Sequence, residues 1–353
     1  MAIHAPDRKL QNTYGMSQNR VHQPISSTFT GIDILKFILA VLVVNVHVHG
    51  IDDLLKTMVG INLHPLNSIP VSTFFLISSF FLFRKIHVAT RPLGVFLHYM
   101  KRVVVLYVVW IVVWTPYYIL HRTYYFNTGL AGVGQLVNDF LFTDVFANSW
   151  FFGALIVGMA LVYFLSRIMS DKVWWMIPTA LFVYCRLSSI LPDDYHALLS
   201  WYMNHTGASP TLSFPYATFW MMLGYHFAKP GWEKRLRSIH SPWRWAAMAV
   251  AVMGCWVADA YTVVSHPLAA VLIFVAFLNW NPGIGKNRSL WLRHSSIILY
   301  TTHGSIEKIL RVFLGFHAGM LSYAITLFVS ILIAYMLISL SQKRGFRWLR
   351  YAY

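Results

Sequence analysis

The sequence predicts an all-α, polytopic membrane protein of about ten transmembrane helices with both termini on the cytoplasmic side, and three observations lead there. Of its 353 residues, 57% are hydrophobic and only 11% charged, with a mean hydropathy of +0.55, a balance that soluble domains of this length do not reach. Apolar stretches close to the ~20 residues a helix needs to cross a bilayer recur along the chain. The basic residues fall almost wholly into alternate connecting segments, as the positive-inside rule demands of a multi-pass protein. Topology therefore accounts for the net charge of +16, and no basic arm with interleaved aromatics points to nucleic acid as a partner.

Residues 1–28 are polar, rich in Ser, Gln, Asn and His, and lack an apolar core and a small-residue cleavage site. They predict a disordered cytoplasmic tail, with the first span following uncleaved. Ten spans form one domain over residues 29–342: 32–50, 68–83, 103–120, 149–167, 173–191, 213–228, 243–263, 266–280, 294–315 and 318–341. The eighth is short, and the ninth is polar, with His303, Glu307, Lys308 and Arg311. Residues 343–353 are a basic cytoplasmic tail. With the N-terminus inside, 22 of the 28 Lys and Arg lie on the inner side, against Lys56, Arg122, Lys308 and Arg311 outside. The longest outer loop, from His121 to Asn148, includes an amphipathic stretch over 133–146. Cys185 and Cys255 lie in apolar runs, too few for a disulfide framework and without metal-ligand spacing.

Lys36 and His47 share the first span. Eleven residues are almost three helical turns, so both side chains fall on one face about 16 Å apart along the axis. A cation and a titratable base so aligned are costly in lipid and mark a candidate functional site. The competing reading has Lys36 snorkelling to the inner headgroups and His47 at the outer interface.

Around this pair the residues take the form Asp33-x-x-Lys36-x10-His47. The second span carries Phe74-Phe75 followed by Ser78-Ser79-Phe80. Looser patches follow at Trp150-Phe151-Phe152, at Phe214-Pro215-Tyr216 with Leu223-Gly224-Tyr225, and at Tyr300-Thr301-Thr302-His303. In this order the motifs resemble the acyltransferase 3 family of integral membrane acyltransferases, over nearly the whole chain. The resemblance implies a plasma-membrane enzyme that moves an acyl group, acetyl foremost, from acetyl-CoA or another acyl-CoA to a carbohydrate hydroxyl, with no permanently bound cofactor and no metal. Three departures stand out. Lys36 replaces an arginine and loses its planar fork; Ser79 stands where the family has glycine; and Val103 follows Lys101-Arg102 where relatives often carry a further arginine.

Acyl transfer to a hydroxyl needs a base titrating near neutrality, and histidine suits that demand best. His47 is therefore the candidate base and Lys36 the candidate contact for the donor. Asp33 either pairs with Lys36 or caps the helix end. Ser78 either donates to the thioester or bonds neighbouring backbone. His303 and Glu307 share a face, where the carboxylate orients the imidazole or both belong to a polar packing seam. Arg186 either neutralises an acidic acceptor or snorkels, and Trp150 is an interface anchor that joins the site through the resemblance. The rival class is a transporter or export component for a glycan or lipid-linked sugar, but no internal repeat or inverted symmetry supports it.

The charge distribution makes a sharp prediction. In a variant with Cys185 and Cys255 replaced, a membrane-impermeant maleimide labels Gly134→Cys on intact cells. Arg237→Cys labels only after permeabilisation. Labelling of Arg237→Cys from outside contradicts the topology.

Overall fold

The computed structural model describes residues 29–119, 129–187, 196–257 and 262–353, and among these the regular structure is helical, without a strand. The predicted tail over 1–28 and the first part of the predicted outer loop, including Arg122, lie outside the described residues. Each of the ten predicted stretches falls on a helix: α1 Thr30–Val48, α3 Ile69–Ile86, α4 Pro92–Ile119, α6 Trp150–Ile168, α7 Met176–Leu187, α9 Phe214–Phe227, α11 Ser241–Val257, α12 Thr262–Leu278, α13 Lys286–Leu314 and α14 Met320–Ser341. Between them lie the short helices α2 Gly50–Val59, α5 Leu130–Leu141, α8 Ala197–Thr206 and α10 Pro230–Ser238.

Length and composition alone suffice to cross a membrane in five of these: α1, α3 with the turn before it, α4, α6 and α14. The prediction of ten spans is met in full as helices and in part as spans. Helix α7 has 12 residues, about 18 Å of rise against a hydrocarbon core of ~30 Å. Helix α13 has ample length at 29 residues, but its run of Ser, Thr, His and charged residues lowers its hydropathy. Helix α5 lies on the predicted amphipathic stretch and exposes Leu130, Val133, Leu136 and Val137, as a helix lying in the interface would.

Helix α3 is the centre of the bundle. It packs against α1, α4, α6, α9 and α12, and a helix so surrounded is apolar nearly all round. Its aromatics interlock with those of α6 and α13: Phe75 stacks on Phe151 at 4.6 Å, and Phe151 and Phe74 approach Tyr300 at 4.9 and 6.2 Å. Against α9 the approach is closest. A Cβ on Gly224 would overlap Ser79 Oγ and come within 2.6 Å of the Leu76 carbonyl oxygen and 2.8 Å of the Phe80 nitrogen. The close contact that Ser79 put in question is thus supplied by a glycine on the opposite helix, and Ser79 satisfies its hydroxyl on Leu76 O at 3.1 Å.

Helix directions gather the basic segments at one end. Phe29 meets Phe81, Arg84 and Arg237, so the start of α1 lies beside the ends of α3 and α10. Thr30 donates to Asn281 at 2.8 Å, and Arg84 bonds both oxygens of Glu233. The segment predicted as a tail is folded here: Arg344–Ala352 forms 3-10 turns, Trp110 donates to Ala352 O at 3.0 Å, and Tyr353 bonds Ser341. At the opposite end, Asn45 Oδ1 accepts from Ile51 N at 2.7 Å and Asp52 N at 3.3 Å. That side chain ends α1 and starts α2, which places His47 in the last turn of α1.

Gly224→Ala is expected to destabilise the protein by about 1–3 kcal/mol, the usual cost of overpacking. Ser79→Gly in the same chain does not rescue it, because Leu76 O and Phe80 N still block the new methyl. Thermal unfolding in detergent reads both. Full rescue would mean that side chains alone set the α3–α9 distance.

Candidate active site

Two parallel helices, α1 and α13, carry most of the predicted site. At the end where they begin, Asp33 is 1% exposed and its carboxylate takes a two-pronged bond from Arg293, Nε to Oδ1 at 2.7 Å and a terminal nitrogen to Oδ2 at 2.8 Å, with Ser289 Oγ donating at 2.5 Å. Asp33 therefore neither pairs with Lys36 nor caps the helix, whose N-cap has no side-chain bond. A bidentate arginine satisfies a buried carboxylate better than an ammonium one turn away. Fourteen residues later on each helix, His47 faces His303, ring centroids 5.3 Å apart and planes tilted by 31°. Fourteen residues are close to four full turns, so the Asp33–Ser289 contact and the histidine pair express one register.

His303 is wholly buried. Its Nδ1 lies 3.1 Å from Leu299 O and its Nε2 3.3 Å from the Asn148 side-chain amide. A carbonyl only accepts, so Nδ1 carries the proton and Nε2 accepts from Asn148. The predicted His303–Glu307 partnership does not form: Glu307 turns to Arg311, at 3.5 Å. Asn148 belongs to a fixed loop before α6. Tyr300 donates to its carbonyl at 3.1 Å, Ser149 Oγ accepts from Val145 N at 2.9 Å, and Asp144 Oδ1 accepts from Trp150 N at 2.7 Å. Trp150 is thereby set beside Phe75, at 6.1 Å. His47, by contrast, makes no side-chain hydrogen bond among the described residues, and its ring is met by that of His303.

Lys36 is also without a hydrogen bond or ion pair among the described residues, and its Nζ stands 5.5 Å over the ring of Phe81. That ring is one wall of a cavity of about 510 Å³ between α3 and α4, lined also by Lys85, Arg91, His98, Tyr99 and Arg102. Ser78 lies beside the Tyr99 hydroxyl, and Tyr99 lines the cavity, so Ser78 meets it through its wall. The neighbouring Arg84 is neutralised by Glu233 at 2.9 Å. Lys85, Arg91 and Arg102 have no acidic partner among the described residues. Three uncompensated cations around one apolar-walled cavity make a place for a polyanion with an apolar or neutral arm.

Arg186 stands apart from these groups. One terminal nitrogen lies 2.7 Å from His266 Nδ1, which Ser68 also meets at 2.6 Å; this joins α7, α12 and the start of α3 near the His47 end. Asn148, Arg293 and the cavity wall at Arg91 and Tyr99 are site residues that the sequence reading missed. The basic wall residues had a sufficient explanation in topology, and Asn148 lay at the edge of a predicted loop. The one signal available was Asn-Ser immediately before Trp150, a helix-start pattern.

The chain matches the family of the Acyl_transf_3 acyltransferase domain over residues 29–339. It is also 22% identical, over 174 residues, to a protein of Enterococcus faecalis called an amino-acid racemase; the match covers 49% of this chain and spans 23% of that protein's length. No solved structure matches.

Arg293→Ala leaves the Asp33 carboxylate with Ser289 alone. Breaking a buried pair from one side costs about 3–5 kcal/mol, and with Arg293 39% exposed the lower part of that range is expected. Asp33→Asn, which keeps the shape without the charge, costs less. Detergent-solubilised thermal stability decides between them; equal stability of all three forms would remove the ion pair as the α1–α13 clamp.

Proposed function

The chain belongs to the acyltransferase 3 family and is a multi-pass membrane protein, and on that premise we propose that it transfers an acetyl group from acetyl-CoA, or another acyl group from its CoA ester, to a carbohydrate hydroxyl at or across the plasma membrane. The observation that carries this reading is the pairing, along α1, of a basic cavity at one end with a histidine at the other that makes no side-chain hydrogen bond among the described residues. The donor is a polyanion on a long neutral arm. Lys85, Arg91 and Arg102 suit its phosphates, Lys36 lies one aromatic ring away, and the thioester extends towards His47.

At His47 the acceptor hydroxyl gives its proton to the imidazole as its oxygen attacks the thioester carbonyl. The tetrahedral intermediate then expels the thiolate with cleavage of the carbon–sulfur bond, and the imidazolium returns the proton to sulfur. The products are the O-acyl ester and free CoA. With the basic end in the cytoplasm, the donor enters from inside and the acceptor reaches His47 from outside. The amphipathic helix α5 and the loop that holds Trp150 then border the acceptor. Arg186, held by His266, offers an acidic acceptor a counter-charge on the same side.

His47→Ala is expected to lower acyl transfer by ~10²- to 10⁴-fold, the range for loss of a general base, with the protein inserted at normal abundance. Lys36→Arg keeps activity, whereas Lys36→Ala and Arg91→Ala raise the KM for acetyl-CoA. Transfer from radiolabelled acetyl-CoA in membrane vesicles, with mass spectrometry of the cell's glycans, measures these effects. Full acylation in His47→Ala would refute the mechanism.

A further inference from the structure

Two local oddities of the chain converge on one hydrogen bond. Asn148 is one of two described non-glycine residues with positive φ, at 61°, a conformation asparagine tolerates but that is normally unfavourable outside glycine. Gly304 lies inside α13, where glycine costs about 1 kcal/mol relative to alanine. A Cβ on Gly304 would overlap the Asn148 side-chain nitrogen and stand 3.1 Å from Ala147 Cβ. Both costs have one evident result: the loop is brought against α13 so that the Asn148 amide meets His303 Nε2. The ring beyond it is the one that faces His47.

We infer that Asn148 is a positioning residue for acyl transfer: its amide occupies the Nε2 lone pair of His303 and keeps that imidazole neutral, leaving His47 as the base that accepts the acceptor's proton. The inference rests on His47 being that base. A neutral imidazole has one N–H and one lone pair, and in His303 Leu299 O takes the first and Asn148 fills the second. His303 then presents a fixed, uncharged ring to His47. A charged ring there, 5.3 Å from His47 between ring centroids, would oppose the imidazolium that forms on His47 during the reaction.

Substitutions separate the amide from the backbone turn. Asn148→Gly keeps the positive φ without strain and removes the donor. Asn148→Asp keeps size and turn tolerance but presents a carboxylate, which only accepts and so draws a second proton onto His303. The probe is radiolabelled acetyl-CoA in membrane vesicles, with His47→Ala as the inactive reference and thermal stability measured on each purified variant. The expected result is a fall in apparent kcat of roughly 10-fold or more in both variants, part of the ~10²- to 10⁴-fold of a general base. The KM for acetyl-CoA stays unchanged, and Asn148→Asp stays near wild-type stability. A merely structural Asn148 would be rescued by the isosteric aspartate. If Asn148→Asp transfers at the wild-type rate while His47→Ala is inactive, the positioning role falls and the base assignment stands. If His47→Ala itself transfers at the wild-type rate, both fall.

Discussion

The register of α1 against α13 is the constraint on which the rest of the site depends. It is fixed at one end by the buried Asp33 carboxylate, held by Arg293 and Ser289, and expressed at the other by the tilted approach of the His47 and His303 rings. A one-residue slip would turn both sets of side chains by ~100° and separate them. A buried carboxylate tolerates no such slip, because losing its partners leaves an uncompensated charge. The carboxylate one turn before Lys36 is therefore engaged by Arg293, and among the described residues Lys36 has no counter-ion.

Much of the fold was legible because bilayer physics writes itself into composition. Twenty-residue apolar runs and the sorting of Lys and Arg into alternate loops predicted where the helices lie, and all ten positions hold helices. The boundaries of α4 and α13 were less visible: α4 begins at Pro92, eleven residues before its apolar run, because its first turns carry His98, Lys101 and Arg102 into solvent. The folded segment after α14 was missed for a related reason. Its Arg344, Arg347 and Arg350 advertise a solvated tail, whereas its anchors are a backbone carbonyl at Ala352 and one tyrosine hydroxyl, neither of which leaves a compositional trace.

The site divides in the same way. His47 and Lys36 were visible because polar residues within a span are rare and their spacing places them on one face. The contacts of Asp33 and His303 were not visible, since Asp33 finds Arg293 260 positions away and His303 finds Asn148 155 positions away. Glu307, at helical spacing from His303, was the locally reasonable partner, but Arg311 at the same spacing on the other side competes for it and offers a full charge. The cavity between α3 and α4 was hidden by a sufficient explanation: its cations satisfy the positive-inside rule whether or not they bind anything. The structure distinguishes them by pairing Arg84 with Glu233 and leaving Lys85, Arg91 and Arg102 around one open space.

The most direct test of the account is a structure of the protein in lipid nanodiscs with a non-hydrolysable thioether analogue of acetyl-CoA. The nucleotide phosphates are expected against Lys85, Arg91 and Arg102, the arm passing Lys36, and the acyl carbon beside His47. An analogue bound with its phosphates at the His47 end, or with its acyl carbon remote from that imidazole, would contradict it.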